Sequence, residues 1–146
     1  MKRFLFLITS LTVILWLSCS DEPEHRASGQ WRLKTMEKNG IVSTVDTVFF
    51  SFQRARVFAF TVLKTEHEAQ LSYGYMEVPS ENQFKLSLDT SKHEDGYYKN
   101  LTDSAYLRLY GWTLENDFQQ VFTVEKITGK ELVLSANSVT YSFKKY

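Results

Sequence analysis

Cysteine is almost missing from this chain: Cys19 stands alone among 146 residues. One thiol excludes an intrachain disulfide framework and a multi-thiolate metal site, so a folded domain here has to be held by packing. Charge of one sign is missing too. Seventeen basic residues face 17 acidic ones, and nothing supplies the basic excess that nucleic acid needs. Proline (two) and glycine (six) are sparse, which is not the composition of a disordered chain. There is no Gly-x-Ser-x-Gly elbow, no glycine-rich phosphate loop, and no helical i, i+4 histidine pair of the metalloprotease type. No segment repeats its apolar residues at helical spacing over a useful length. These absences leave no catalytic residue, metal ligand set or cofactor to nominate, and a non-enzymatic protein is expected.

What is present begins at the N-terminus. Lys2 and Arg3 precede an apolar run from Phe4 to Leu17, then the small residues Ser18, Cys19 and Ser20, then Asp21, Glu22, Pro23 and Glu24. Charge, apolar run and small residues in that order form an export signal. Its 14 apolar-run residues fall short of the roughly 20 that a spanning helix needs. Leu17-Ser18-Cys19 resembles the lipobox of bacterial lipoproteins. That resemblance implies cleavage before Cys19, acylation of its thiol and new amino terminus, and a bilayer partner reached through the lipid. Several acyl chains, at about 0.8 kcal/mol per buried methylene, make a lasting tether where one chain does not. Ser20-Asp21-Glu22 resembles the acidic surface-export signal of Bacteroidetes lipoproteins, which implies a surface-exposed outer-membrane protein of the cell envelope. The alternative is ordinary signal cleavage after Ser20. Loss of Lys2 and Arg3 takes the balance from 17 against 17 to 15 against 17, a net charge of −2.

The expected organisation is a signal peptide over 1–18, a lipidated polar tether over 19–28 and one β domain over 29–146. From Gln30 onward the apolar residues alternate. Trp31 and Leu33 share a face, and Asn39-Gly40 is a favoured two-residue hairpin turn. Val48, Phe50 and Phe52 share a face, with Phe49 opposite. Phe58, Phe60 and Val62 point inward while Val57, Ala59, Thr61 and Leu63 oppose them, so coverage on both faces is expected there. Leu71, Tyr73 and Tyr75 alternate with Gln70, Ser72 and Gly74, and Gly74 suggests a bulge or bend. Phe84, Leu86 and Leu88 follow. After a long connection, Thr90 to Asp103, strands are expected at 104–112, 118–128, 131–135 and 138–145. Phe122 and Val124 are set against Val121 and Ile127; Leu132 with Leu134, and Val139, Tyr141 and Phe143, point inward. Eight or nine short strands joined by tight turns indicate an antiparallel barrel or sandwich. Sequential hairpins favour an up-and-down barrel of about eight strands, which removes exposed edges; a β-sandwich is the alternative.

Three stretches resemble the small lipocalin-like lipoproteins of Bacteroidetes. Gly29-Gln30-Trp31-Arg32-Leu33 resembles the Gly-x-Trp-x-Leu opening of a lipocalin, whose Trp closes the barrel floor. Phe122 to Thr128 with Leu132-Val133-Leu134 resembles the penultimate hairpin, and Tyr141 to Lys145 the closing strand. The resemblance implies a barrel that binds a small apolar or amphiphilic ligand in its mouth. The alternative is a filled barrel whose loops contact a glycan or an envelope protein. Tyr and Trp join an apolar ring to a polar tip and suit binding surfaces; the candidates are Tyr97, Tyr98, Tyr106, Tyr110 and Trp112. The clusters Glu66-His67-Glu68 and His93-Glu94-Asp95 read as solvated turns rather than metal ligands, and His25 as part of the tether. Asn100-Leu101-Thr102 fits the N-glycosylation pattern. Asp46-Thr47-Val48 and Asp103-Ser104-Ala105 fit a short bacterial O-glycosylation pattern.

Overall fold

The computed structural model describes residues 23–53, 56–63, 65–67, 69–89 and 119–146. A five-residue helix, α1 (Pro23–Ala27), precedes nine strands. These are β1 (Gly29–Lys38), β2 (Ile41–Thr44), β3 (Val48–Phe52), β4 (Val57–Leu63), β5 (Ala69–Ser80), β6 (Gln83–Leu88), β7 (Gln119–Ile127), β8 (Glu131–Ala136) and β9 (Val139–Lys145). Every pairing is antiparallel between sequence neighbours, except where β1 also pairs β3 and β9. The β1–β9 ladder, from Trp31↔Lys145 to Lys38↔Val139, closes the sheet on itself. That closure rules out the sandwich: the molecule is an up-and-down barrel of eight strands with one extra strand, β2.

The extra strand follows from register. Thr35 pairs Thr44 on β2, and Arg32 pairs Phe49 on β3. Four residues, 45–48, therefore oppose two, 33–34, and the surplus breaks one long strand in two. Asp46 clamps the break. Its carboxylate meets Lys34 Nζ at 2.5 Å and Arg32 Nε at 3.6 Å, and its carbonyl accepts the Arg32 Nε–H at 2.9 Å. The Lys34 ammonium bonded to Asp46 holds that carboxyl below its usual pKa.

The sequence alternation maps onto the barrel wall with three corrections, at Gly74, Ile127 and the outer face of β4, and the structure also assigns the inward face of β5. On β5 the small face points inward: Ser72 and Met76 are buried, while Tyr73 and Tyr75 face solvent at 40% and 55% exposure. Rings from β3, β4, β6 and β7 already occupy the centre, so β5 contributes little bulk. Gly74 pairs regularly with Phe58 and Leu88. It marks a close approach, since a Cβ there would lie 1.9 Å from the Ser87 carbonyl oxygen; the register shift of this hairpin lies between Glu77 and Ser80. On β7 a shift between Val124 and Lys126 returns Ile127 to the core face, where it pairs Leu132. The outer face of β4 is only partly covered: Ala59 is buried, but Leu63 is 36% exposed.

Residues 23–27 are also more than tether. Ala27 is fully buried and its carbonyl accepts the Trp31 Nε1–H at 2.6 Å. Lys145 Nζ lies 4.6 Å from the Trp31 ring centroid and donates to the Ser28 carbonyl. Trp31, α1 and Lys145 together seal one end of the barrel, the floor.

The geometry predicts that Gly74→Ala destabilises the domain by about 1–3 kcal/mol, the range for overpacking. Gly129→Ala, with no atom within 4 Å of the added carbon, should cost far less. Urea denaturation of the two variants checks the contrast. In the last hairpin turn Asn137 and Ser138 both adopt positive φ, 51° and 62°. Glycine is favoured at the second such position, so Ser138→Gly should raise stability by about 0.5 kcal/mol after its added unfolded-chain entropy.

Candidate functional site

An eight-stranded barrel has room for its own side chains or for one small ligand. Here the centre is filled. Phe50 on β3 and Phe122 on β7 come from opposite walls, four strands apart around the barrel, yet their ring centroids are 6.1 Å apart. Phe50 also meets Phe143 at 4.8 Å, Phe58 at 5.2 Å and Phe60 at 5.5 Å. Phe52 reaches Phe84 on β6 at 5.8 Å. These edge and tilted contacts, within the 4.5–7 Å range typical of aromatic pairs, carry rings across the middle layer from wall to wall.

The filling is graded from floor to rim. Cross-strand neighbours climb the wall in the rows Trp31–Phe50–Phe60–Ser72, Phe52–Phe58–Gly74–Leu88 and Met76–Leu86–Gln120. Two of them begin on aromatic rings and the third on methionine; they end on serine, leucine and glutamine. At the rim Ala136 and Val139 add further small side chains. Ser72 and Gln120 are the buried polar residues of the described interior. Gln120 Nε2 donates to the Val121 carbonyl at 2.9 Å, and its Oε1 accepts from Asn137 Nδ2 at 3.0 Å. That amide pair ties β7 to the β8–β9 turn. Beside it, on the outer surface, lies a recess of about 400 Å³ lined by Val121, Thr123, Ser135, Asn137, Ser138 and Thr140, among others.

None of the recess side chains titrates, so the recess offers amide and hydroxyl hydrogen bonds and no general acid or base. The neighbouring carboxylate of Glu125 takes the Ser135 hydroxyl at 2.5 Å. Among the described residues no group of three or more potential metal ligands converges. His25 and His67 are exposed on α1 and in the bend after β4. Thr47 is exposed in the break between β2 and β3.

The residues nominated from the sequence, Cys19, Tyr97, Tyr98, Tyr106, Tyr110 and Trp112, lie outside the described residues, as do His93, Asn100 and Ser104. What the structure does fix is the exit and entry of the connection that carries the aromatics. Chain departs at Asp89, after β6, and returns at Gln119, the start of β7; both are at the rim. Gln120, Asn137 and the Tyr141 hydroxyl are not among the residues expected from the sequence to form a site. Gln120 had a visible signal, because it precedes Phe122 by two and so falls on the core face.

The lipocalin-like domain model matches residues 12–146. The chain belongs to the lipocalin-like domain family. Two solved structures share the fold of this lipocalin-like chain. A lipocalin-like protein from Bacteroides uniformis is 20% identical, with 83% of this chain and 99% of that one covered at a TM-score of 0.67. An uncharacterized protein from Bacteroides eggerthii is 23% identical, with coverage of 82% and 99% and a TM-score of 0.66. No curated protein matches the chain.

Tyr141 differs from the other lipocalin-like core residues. It is 1% exposed, packs its ring on Phe122 at 5.6 Å, and its hydroxyl has no hydrogen-bond partner. Burial pushes its pKa well above 10. A buried orphan hydroxyl costs about 1–3 kcal/mol, so Tyr141→Phe should stabilise the ligand-free domain by about 1 kcal/mol. The folded phenol holds its proton where the unfolded one, at pKa 10.0, gives it up. This group therefore leaves stability independent of pH below pH 10 and lowers it above, by about 1.4 kcal/mol per pH unit. Urea titrations at pH 7 and pH 11 should show this extra slope in wild type and not in Tyr141→Phe.

Proposed function

We propose that this protein is a non-enzymatic binding module of the bacterial cell envelope, lipid-tethered through Cys19 to the outer membrane and exposed at the surface. It engages its partner at the rim of the barrel. The observation that carries the rim reading is the 6.1 Å contact between Phe50 and Phe122. A barrel closed across its middle leaves binding to its mouth and to the connection between β6 and β7. That favours the filled-core module, whose loops contact a glycan or an envelope protein. The Gln120–Asn137 pair and the neighbouring recess supply hydrogen bonds suited to a polar partner, and Tyr97, Tyr98, Tyr106, Tyr110 and Trp112 supply the rings.

A second reading, a small apolar or amphiphilic ligand seated near the rim, is supported by the orphan hydroxyl of Tyr141. Buried hydroxyls without partners are uncommon, and a ligand atom or a water would satisfy this one. Native mass spectrometry of the protein purified from its own cells separates the two. A bound small molecule lost in Tyr141→Phe supports the ligand. An empty barrel, with capture of envelope glycan or protein that Tyr97→Ala/Tyr98→Ala weakens about tenfold or more, the scale of two aromatic anchors, supports the module. Equal capture by wild type and the double variant would remove those rings from the site.

The tether has its own check. Cys19→Ala should leave uncleaved precursor or release the domain from membranes; mature, membrane-bound protein from this variant would refute acylation.

A further inference from the structure

The floor and the rim differ in charge as well as in packing. The antiparallel meander brings α1, the β3–β4, β5–β6 and β7–β8 connections and the end of β9 to the floor. Backbone bonds confirm the grouping: Lys145 N–H donates to the Lys130 carbonyl at 3.0 Å, and Tyr146 N–H to the Gln30 carbonyl at 2.9 Å. The described cations at this end are Arg26, Arg56, Lys126, Lys130, Lys144 and Lys145; the described acids are Glu24, Glu81, Glu125 and Glu131. Two of those acids are already engaged, Glu24 with Arg56 at 2.9 Å and Glu131 with Lys126 at 2.5 Å. Lys145 is held by Ser28 and Trp31. Arg26, Lys130 and Lys144 remain exposed and outside any described salt bridge, with Lys144 also facing Glu131 across the β8–β9 ladder, where, after the Lys126 hydrogen bond, its charge helps to lower that carboxyl's pKa. Among the described residues the rim has the opposite balance, with Glu37, Glu66 and Asp89 against Lys38.

The chain reaches this cationic end from the N-terminal side. From Cys19 to Pro23 there are four Cα steps, spanning at most about 14 Å. On the tethered reading proposed above, which this inference requires, the floor is therefore held within one to two Debye lengths of the headgroups. We infer that the floor rests on an anionic, phosphate-bearing lipid surface through Arg26, Lys130 and Lys144, so that the rim points away from the bilayer. Each basic side chain near such a surface contributes about 1 kcal/mol, enough together to orient a domain already tethered there. Asp21 and Glu22 of the tether are the competing anions.

The test uses the acylated protein from its own cells, reconstituted into vesicles of phosphatidylcholine alone or of equal parts phosphatidylcholine and phosphatidylglycerol. Amine labelling read by mass spectrometry compares Lys130 and Lys144 with Lys38 at the rim. The floor lysines should be protected about fivefold or more in the anionic vesicles, one side chain's contribution expressed as a ratio. The protection should vanish in phosphatidylcholine and in 1 M salt, where screening shortens to about 3 Å. Arg26→Gln should weaken the protection while the protein still floats with the vesicles. Labelling that is the same in both vesicle types would overturn the inference and assign the cations to Asp21 and Glu22. Failure of the wild-type protein to float would overturn the tether itself, and this inference with it; flotation with unprotected floor lysines defeats only the orientation.

Discussion

Phe50 packs against rings from its own strand, from β4, from β9 and from the opposite wall. The interior of an eight-stranded barrel has to be occupied, by its own side chains or by one small ligand, and a chain without an intrachain disulfide depends on that packing. The aromatic residues on β3, β4, β6, β7 and β9 meet that requirement from all sides. The same crowding explains β5. Where neighbours supply the bulk, Ser72 and Gly74 face inward, and Tyr73 and Tyr75 are displaced to the surface.

Filling from one end creates an axis. The floor has Trp31 sealed by α1 and Lys145; the rim has small side chains, the Gln120–Asn137 amide pair and an adjacent recess. Chemistry follows that axis. The recess lining holds no titratable group, so hydrogen bonding and apolar contact are what the recess can offer. The orphan hydroxyl of Tyr141 adds an unmet polar demand to a wall whose other buried polar residues, among those described, are Ser72 and Gln120. That axis is what supports the proposed recognition at the rim and attachment at the floor.

Much of the wall was legible from alternation. Trp31, Phe50, Phe52, Phe58, Phe60, Phe84, Phe122 and Phe143 sit inside because a period of two sends every second side chain inward. Asn39-Gly40 turns as its residue types predict, with φ of 53° and 76°. The failures share a cause. Ile127 changed face at a bulge, and alternation on β5 left open which face meets the core; neither event leaves a mark in local periodicity. Pro23–Ala27 read as tether because five residues are too few to show helical spacing, and the partner that buries Ala27 lies beyond them in sequence. The aromatic candidates between β6 and β7 were chosen by residue type, and the described structure bears on them only through the rim position of Asp89 and Gln119.

The sequence alone determined an all-β chain with alternating strands, a Trp-led first strand and a core stabilised by packing, because side-chain period and composition are local properties. Only the tertiary structure decided that the middle of the barrel is filled, that β2 splits from β3, and that cations gather at the floor. Each of those depends on register between strands far apart in the chain: which ring faces Phe50, how many residues oppose Leu33 and Lys34, and which turns share an end. No local pattern encodes such distances, since they arise when β1 and β9 pair and the sheet becomes a closed wall.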